Sequence, residues 1–360
     1  MSFNNFDISF YRNKKVLVTG HTGFKGSWLC TILKKAGAHV IGYALEPPTQ
    51  PSLFEISNVG EGMTSIIGDV RDFALLKKTF DEFQPEIVFH LAAQPIVRKS
   101  YEIPRETYET NVMGTVNILE CVRQTKSVRS VINITTDKVY ENKEWCWGYR
   151  ENDALNGFDP YSNSKSCSEL ITDSYKKSFF SNCDVAISTV RAGNVIGGGD
   201  FAIDRIIPDC IKAIIDQKVV EIRNPYSTRP YQHVLEPLFV YLMIAAMQME
   251  NKELIGQYNV GPDDVDCFQT GRLVKLLSKK WGEGLQYRIL CKNIDSVHEA
   301  AVLRLDCSKV KNAFGWKPCW NLDFTMEKIV EWTKAYITNQ NIKECMYRQI
   351  EQYIASMQEA

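Results

Sequence analysis

A short run of β-branched and apolar residues leads directly into three regularly spaced glycines near the start of the chain. Lys14 to Thr19 has the sequence KKVLVT, and the next segment, GHTGFKG, contains Gly20, Gly23 and Gly26. The residues that follow, SWLCTILKKAG, place apolar side chains at helical spacing and end at a glycine. A strand, a glycine turn and a helix in this order predict a βαβ unit of a parallel sheet.

Strands and helices continue to alternate beyond this unit. The apolar runs HVIGY, TSIIGD, EIVFHLAA, SVINITT and VAISTVRAGN predict strands, and the segments between them predict helices. The alternation predicts an α/β fold with a doubly wound, Rossmann-like parallel sheet. Near Asn194 the regular alternation of strands and helices ends. We therefore expect a sheet domain over residues 1–194 and a smaller mixed C-terminal substrate domain over residues 195–360. HVLEPLFVYLMIAAMQM predicts a helix within residues 230–260 that returns to the first domain.

Charge and composition limit what the chain can bind. Its 42 Lys and Arg residues balance 43 Asp and Glu residues, so no global field attracts nucleic acid or anionic lipid. The longest apolar stretch, residues 240–249, is too short to cross a bilayer, and the N-terminus lacks a signal-peptide pattern, so we expect a cytoplasmic protein. The 11 cysteines and five histidines are dispersed without metal-ligand spacing, which predicts no metal site.

The glycine motif is typical of a dinucleotide site, because glycines let the backbone approach a pyrophosphate at the N-terminus of a helix. His21 and Lys25 could add positive charge there, or could be a turn histidine and a solvated lysine. The second strand ends near Ala44 without the usual ribose-binding acid, but residues 40–70 contain no lysine or arginine to neutralise a 2′-phosphate. NAD is therefore favoured over NADP.

Two residues after the third strand are candidates for the adenine side of this site. Asp69 and Val70 directly follow TSIIG, at the end of the sheet where a dinucleotide binds. Alternatively, Asp69 could cap the helix that begins near Asp72.

Tyr161 and Lys165 form a Y-x-x-x-K pattern, with the two residues one helical turn apart. An ammonium at this spacing can lie close to a phenol and lower its pKa enough for base chemistry. The pattern also occurs at Tyr11 and Lys15, before the first strand. Only the Tyr161 pair opens a helix after the fifth strand, on the cofactor side of the sheet, so we expect this pair to be catalytic and the other to be coincidental.

An acid and an amine stand side by side at the end of the fifth strand. Directly after the strand SVINI come Thr135, Thr136, Asp137 and Lys138. Neighbouring carboxyl and amine groups suit paired proton transfers, but they are equally compatible with an ordinary charge pair in a loop.

Five motifs in a fixed order point to one superfamily. They are TGxxGxxG at 19–26, HLAAQ at 90–94, TNVMGT at 110–115, TTDKVY at 135–140 and YSNSK at 161–165. In this order they resemble the extended short-chain dehydrogenase/reductase superfamily, and more narrowly its nucleotide-sugar 4,6-dehydratases. Most members of that group carry an Asp-Glu pair after the fifth strand, whereas this chain has Asp137 and Lys138.

That substitution narrows the resemblance to dehydratases that act on CDP-glucose. It is accompanied by GHTGFKGSW, ENKEWCWGYRE at 141–151, RPYQHVLEPL at 229–238 and HEAAVLRLD at 298–306. The resemblance implies a hydro-lyase that converts CDP-glucose to CDP-4-keto-6-deoxyglucose with NAD, in deoxysugar biosynthesis for lipopolysaccharide O-antigen. The alternatives are another nucleotide-sugar 4,6-dehydratase, a 4-epimerase, or an NAD-binding regulatory protein without activity.

The resemblance also implies catalytic roles. Tyr161, held by Lys165, removes the C4 hydroxyl proton, and Thr136 hydrogen-bonds the same oxygen. Asp137 protonates the departing C6 hydroxyl. Lys138 stands where the usual C5 base is Glu, and it can act as that base only if its pKa is depressed.

Further positions follow from the resemblance. Asn111 supports Lys165 through a water chain, or alternatively satisfies buried backbone groups. The expected cofactor-binding residues are Gly20, His21, Gly23, Phe24, Lys25, Gly26, Asp69, Val70, Leu91, Ala92, Ala93, Tyr161 and Lys165. The expected substrate-binding residues are Gln94, Trp147, Asn194, Arg205, Arg229 and His298.

Several of these assignments have alternatives. Each arginine could be a surface residue, and Trp145, Trp147 and Tyr149 could cover the hexose or pack the domain interface. The helices near residues 107–124 and 161–178 commonly pair across a dimer in this superfamily, so a homodimer or a dimer of dimers is expected.

Overall fold

Seven parallel strands form the central sheet of the computed structural model, which describes residues 3–222, 224–282, 285–289 and 302–359. The strands in the first half of the chain are β1 (Lys15–Thr19), β2 (His39–Ala44), β3 (Thr64–Ile67), β4 (Ile87–His90), β5 (Ser130–Ile134) and β6 (Ala186–Ala192). The later strands are β7 (Val195–Ile196), β8 (Val220–Ile222), β9 (Thr228–Pro230), β10 (Gln232–His233), β11 (Gln257–Val260), β12 (Cys267–Gln269) and β13 (Tyr287–Ile289).

Helices cover both faces of the sheet and build the second unit. The first seven are α1 (Phe24–Lys35), α2 (Leu53–Ile56), α3 (Phe73–Phe83), α4 (Val97–Glu102), α5 (Pro104–Tyr108), α6 (Gly114–Arg123) and α7 (Pro160–Tyr175). The others are α8 (Ile206–Ile215), α9 (Leu235–Glu250), α10 (Thr270–Trp281), α11 (Ser308–Phe314), α12 (Leu322–Ile337) and α13 (Ile342–Glu359). A π-helical turn, Glu109–Met113, joins α5 to α6, and another, Lys176–Phe180, extends α7.

The sheet order is β11-β6-β5-β4-β1-β2-β3, which confirms the doubly wound, Rossmann-like prediction. The order reverses between β1 and β4, where Thr19 pairs with His90. Because ligands bind outside the carboxyl ends of strands at such a reversal, this register places the residues after β1 and β4 beside the expected cofactor site.

Elements from the later part of the chain complete this sheet. β11 pairs in parallel with β6, and the predicted helix within residues 230–260 is α9, which packs on β5 and β6. Residues 235–248 of α9 are all buried, as expected for a helix that is apolar around its whole circumference. The C-terminal helix α13 packs against α1 and α12.

The second unit has its own core, formed where α8, α10 and α12 meet. Its strands pair in twos: β7 with β10, β9 with β12, and β8 with β13. The boundary near Asn194 and the separate roles of the two units stay predictions. Over the described ranges, no helix has the length and apolar character needed to cross a membrane.

Candidate active site

The glycine turn after β1 is shaped by close contacts. Gly20 has a φ of +74°, and a Cβ atom there would lie 2.9 Å from the backbone nitrogen of Ala92. A Cβ atom on Gly26 would lie 2.1 Å from the carbonyl oxygen of Gly20. Gly23 differs, because its Cβ would meet only that oxygen, at 3.4 Å. Gly23 is the N-cap of α1 and makes no side-chain cap, so the N–H groups of the first turn are oriented to bind an anion.

The loop after β4 lies against this turn. Leu91 and Ala92 donate backbone N–H hydrogen bonds to Thr19 Oγ1, each at 3.1 Å, and Ala93 follows them along the chain. These bonds join the carboxyl ends of β1 and β4 at the edge of the sheet where the glycine turn begins.

The two basic residues of the glycine turn differ in charge. The His21 ring is fully buried and bonded to Ser65 Oγ at 2.7 Å, and burial lowers its pKa to about 4. His21 is therefore neutral, which corrects the idea that it adds positive charge at the phosphates. Lys25 lines the cavity described below, and burial, followed by the charges of Arg205 and Lys165, lowers its pKa to about 7.

β2 ends at Ala44, near the place where the adenosine of a dinucleotide is expected. The guanidinium of Arg71 is paired with two carboxylates. Arg71 Nη2 lies 2.6 Å from Asp69 Oδ2, and Arg71 Nη1 lies 3.9 Å from Glu109 Oε2. Asp72, rather than Asp69, caps α3, which removes the alternative assignment for Asp69. Val70, between them, is buried.

A cavity of about 990 Å³ opens between the carboxyl edge of the sheet and the second unit. The predicted site residues on its wall are Phe24, Lys25, Thr136, Asp137, Lys138, Tyr161, Asn194, Arg205 and Arg229. Segments more than 90 residues apart in the chain therefore meet around one space.

Tyr161 and Lys165 lie at the start of α7, and both are buried. Burial raises the pKa of Tyr161 to about 12, while a hydrogen bond with Thr136 and the charge of Arg205 act in the opposite direction. The Lys165 ammonium donates to the carbonyl oxygen of Ile134 at 3.2 Å, and burial lowers its pKa to about 8. The pKa of Tyr161 is therefore raised rather than lowered as expected, because burial is its largest cause.

Asp137 and Lys138 contact each other on the cavity wall. Lys138 Nζ lies 3.4 Å from Asp137 Oδ1 and 3.4 Å from Asn194 Oδ1. Thr136 Oγ1 donates to Asp137 Oδ1 at 3.0 Å. Asp137 is only 1% exposed, and its Oδ2 atom has no hydrogen-bond partner among the residues that the structure describes. A buried carboxylate with one oxygen unengaged is a suitable contact for a ligand hydroxyl.

Two arginines on the wall are held by neighbours. Arg205 Nη1 lies 3.1 Å from Oδ2 of the buried Asp200, and Arg229 Nη1 donates to the carbonyl oxygen of Thr228 at 3.0 Å. Both guanidiniums retain further N–H donors, which suits recognition of a diphosphate.

Arg98 is a cavity residue that the sequence analysis missed. It lies on α4, and its guanidinium is 3.5 Å from Asp204, which belongs to the glycine-rich segment after β7. Its position after the loop that follows β4 is a signal that could have identified it, since that loop lies at the binding edge of the sheet.

Two predicted residues lie in packed surroundings. The Gln94 side chain accepts from the Ile96 N–H at 2.7 Å and donates to Thr107 Oγ1 at 3.0 Å. Asn111 accepts from the Gln94 N–H at 2.8 Å and donates to the Gln94 carbonyl at 3.1 Å. These contacts match the alternative in which Asn111 satisfies backbone groups. Its link to Lys165 stays a prediction.

The aromatic segment packs mainly on itself. Trp145 stacks on Tyr149 with ring centroids 5.3 Å apart, and Trp147 packs edge-on against Trp145 at 5.8 Å. Trp147 is 69% exposed. The contacts match the packing alternative for this segment. His298 lies outside the described residues.

Comparison with known proteins identifies the family. Residues 17–329 match the family model described as GDP-mannose 4,6 dehydratase. The chain belongs to the GDP-mannose 4,6-dehydratase family. This family member is 49% identical over 356 residues to the CDP-glucose 4,6-dehydratase of Salmonella typhimurium, and the alignment covers 97% of this chain and 99% of that protein.

Solved structures confirm the fold of this GDP-mannose 4,6-dehydratase family member. A UDP-glucose-4-epimerase from Stenotrophomonas maltophila with bound NAD aligns with a TM-score of 0.78 at 20% identity, covering 91% of this chain and 100% of that one. A dTDP-glucose 4,6-dehydratase from Bacillus anthracis in complex with NAD aligns with a TM-score of 0.74 at 19% identity, covering 92% and 99% of the two chains.

Proposed function

We propose that the protein is a hydro-lyase that removes water from CDP-glucose to give CDP-4-keto-6-deoxyglucose, with NAD as its resident cofactor. The observation that carries this proposal is the contact between Asp137 and Lys138 on the same cavity wall as Tyr161. Elimination of water needs an acid and a base in addition to the group that assists oxidation. The relative that is 49% identical carries the name of this activity, which supports the choice of substrate.

The residues of the glycine turn fit NAD. The open space at Gly23 and the first-turn N–H groups of α1 suit a pyrophosphate. We propose that Lys165 binds the nicotinamide ribose. The Asp69 carboxylate, 2.6 Å from the Arg71 guanidinium, places a negative charge beside that cation, which disfavours a 2′-phosphate there and favours NAD over NADP. When bound, NAD supplies a hydride acceptor for C4 and the hydride that returns to C6.

Tyr161 and Thr136 act on the C4 hydroxyl group. Burial raises the pKa of Tyr161 to about 12, so its phenol keeps its proton at neutral pH unless a nearby cation stabilises the phenolate. A cationic cofactor ring and the Lys165 ammonium would favour the phenolate, so we propose that base chemistry at Tyr161 begins once the cofactor is bound. Thr136 hydrogen-bonds the same oxygen and fixes its orientation.

Asp137 and Lys138 act on C6 and C5. Once C4 is a ketone, the C5 proton is acidic. Transfer of one proton from the Lys138 ammonium to the Asp137 carboxylate, across their 3.4 Å contact, gives the neutral amine and the protonated acid that elimination needs. The amine then accepts the C5 proton while Asp137 donates its proton to the departing C6 hydroxyl, which leaves as water, and the ammonium and carboxylate are restored. The Asp137 Oδ2 atom is the oxygen placed to contact that hydroxyl, because Oδ1 is already bonded to Thr136 and Lys138.

The basic residues of the cavity hold the diphosphate. Arg205 and Arg229 present guanidinium donors toward the space, and Lys25 stands at the start of α1. Binding of a diphosphate raises the pKa of Lys25 from about 7, because an anion stabilises the protonated amine. We propose that Asn194 and Arg205 bind the sugar side and that Arg229 binds the nucleotide side.

One substrate panel tests the proposed function. The purified protein is incubated with NAD⁺ and, in parallel, with CDP-glucose, dTDP-glucose, UDP-glucose and GDP-mannose, and products are identified by mass spectrometry. We expect the loss of one water from CDP-glucose. Water loss from another nucleotide sugar would identify that sugar as the substrate. An isomer of unchanged mass would indicate a 4-epimerase, and no product despite bound NAD would indicate a regulatory protein.

We also propose that the protein is a cytoplasmic homodimer or a dimer of dimers. Met113 and Leu170 are large apolar residues that lie about half exposed on the two helical segments expected to pair, which supports a dimer built on that face. The product is a 4-keto sugar nucleotide, so we expect it to be consumed in deoxysugar biosynthesis, with O-antigen as one destination.

A further inference from the structure

A buried ion pair lies directly behind the active-site wall. Arg191 on β6 and Glu169 on α7 are bonded through two contacts, Nε to Oε1 at 3.0 Å and Nη2 to Oε2 at 3.1 Å. Both side chains are almost completely buried. A buried ion pair contributes little net stability after desolvation, but its paired geometry fixes the orientation of the groups around it.

The carboxylate of this pair binds the start of the active-site segment, which we define as residues 135–140. Thr135 Oγ1 donates to Glu169 Oε1 at 2.5 Å. One turn earlier on α7, Lys165 Nζ donates to the carbonyl oxygen of Ile134 at 3.2 Å. Two successive residues at the end of β5 are therefore bonded to the same helix that carries Tyr161.

The guanidinium of this pair binds the end of the same segment. Arg191 Nη1 donates to the Tyr140 hydroxyl at 2.7 Å and to the carbonyl oxygen of Glu151 at 3.0 Å. The Tyr140 hydroxyl donates in turn to Asn259 Oδ1 on β11, at 2.6 Å. The ion pair thus contacts both ends of the active-site segment, whose central residues lie on the cavity wall.

We propose that Glu169 and Arg191 are positioning residues for the reaction: they fix both ends of the active-site segment and thereby hold Thr136, Asp137 and Lys138 at defined places relative to Tyr161. This inference rests on the proposed function for its kinetic consequence. Its structural consequence, an ordered active-site segment, is independent of the substrate.

Two buried threonines provide a matched test. Thr135 and Thr189 both donate to Glu169, at 2.5 Å and 2.6 Å, but Thr189 lies on β6, outside the active-site segment. We expect Thr135→Val to lower kcat with CDP-glucose by roughly 10- to 100-fold with little change in KM, because small misplacements of catalytic groups are costly. Thr189→Val should keep kcat within about threefold of the wild type, because the Thr189 hydroxyl binds Glu169 from β6 and holds no part of the active-site segment. Equal losses in the two variants would overturn the proposal.

A second pair of variants tests the other end of the segment. Tyr140→Phe removes the hydroxyl that binds Arg191, whereas Tyr258→Phe removes a hydroxyl that donates to the Leu254 carbonyl, away from the segment. We expect a lower kcat only for Tyr140→Phe. Normal turnover in both Tyr140→Phe and Thr135→Val would contradict a positioning role at either end.

Hydrogen exchange separates this inference from the proposed function. Thr135→Val should raise amide exchange in residues 135–140, and Thr189→Val should not. If the wild type does not convert CDP-glucose, the proposed function fails, but the exchange contrast still decides whether the pair orders the segment. Unchanged exchange in Thr135→Val overturns the positioning inference even if the wild type is active.

Discussion

The Lys138 ammonium and the Asp137 carboxylate lie 3.4 Å apart, with Asp137 buried and Lys138 about one quarter exposed. The pair therefore joins an inner acid to an outer amine on one wall of the cavity. The amine also contacts Asn194, from the chain segment that follows β6. A substrate that enters the cavity meets both groups, and changes to either can be separated kinetically from changes at Tyr161.

Removal of the Lys138 amine should separate oxidation from elimination. In Lys138→Met we expect C4 oxidation to persist, seen as NADH that accumulates, while water loss falls by roughly 10²- to 10⁴-fold because the C5 base is absent. Stopped-flow absorbance of NADH and mass spectrometry of the sugar measure the two stages.

Lys143→Met is the matched control, because its ammonium lies over the Trp145 ring, 5.5 Å from the centroid. The control should turn over normally. Full turnover of Lys138→Met would show that another group removes the C5 proton.

The two Y-x-x-x-K patterns should respond differently to loss of a hydroxyl group. Tyr161→Phe should lower the rate of C4 oxidation by roughly 10²- to 10⁴-fold, since the proton acceptor is lost. Tyr11 is buried and donates to the Leu242 carbonyl at 2.6 Å, so Tyr11→Phe should cost about 1 kcal/mol of stability and leave the rate unchanged. Single-turnover kinetics and denaturant unfolding of both variants check this pair, and a catalytic defect in Tyr11→Phe would contradict the assignment.

The glycine turn offers a contrast between folding and cofactor binding. Gly26→Ala places a methyl group against the Gly20 carbonyl oxygen and should cost about 1–3 kcal/mol through overpacking. Gly23→Ala makes only an ordinary contact within the protein, so it should fold normally but bind NAD more weakly, because its methyl group occupies the space in which the pyrophosphate would lie. Thermal unfolding and calorimetric NAD titration distinguish the two outcomes. Wild-type NAD affinity in Gly23→Ala would place the pyrophosphate elsewhere.

Glu236 should make stability depend on pH. This buried carboxylate on α9 accepts from the backbone N–H groups of Cys319 and Trp320 and from the Tyr353 hydroxyl, at 2.9, 2.7 and 2.8 Å. Burial raises its pKa to about 7. The folded state therefore holds a proton that the unfolded state has already lost, and stability decreases as pH rises from about 4.5 to about 7.

The variant Glu236→Gln should lack the loss of stability with rising pH that Glu236 causes. The quantity to compare is the free energy of unfolding of the variant minus that of the wild type. We expect this difference to be more favourable to the variant at about pH 8 than at about pH 5, by on the order of 1–3 kcal/mol. Urea unfolding at both pH values measures the difference. Glu351→Gln, at an exposed position paired with Lys35, should show little such trend. Parallel pH profiles for the wild type and Glu236→Gln would mean that Glu236 is ionised in the folded state across this range.

The sequence was sufficient to predict the central sheet and much of the cavity wall. Each strand from β1 to β6 is an apolar run, and the motifs that carry chemistry follow strands directly, so their meeting at one edge of the sheet is a consequence of parallel topology. Asp137, Tyr161 and Arg205 are brought to one cavity for this reason, although 68 residues separate the first from the last.

Other features depend on packing that spacing does not reveal. The pKa of Tyr161 is set by burial rather than by the residue one turn away, and the neutral state of His21 follows from its place beneath the sheet edge. The ion pair of Arg98 with Asp204 joins α4 to the segment after β7, which is distant in sequence. Their contact depends on how the second unit packs over the sheet. Local sequence patterns do not predict that packing.

The position of β11 at the outer edge of the sheet has a consequence for synthesis of the chain. Every residue of β6 is buried, and its outer hydrogen bonds are made with β11, which the ribosome adds more than 60 residues later. Until then, the nascent sheet ends in a strand with unpaired N–H and carbonyl groups, which can associate with other chains. The end of the strand–helix alternation near Asn194 is therefore a poor place to divide the gene into separately expressed halves. The first half alone would carry β6 as an unpaired edge strand.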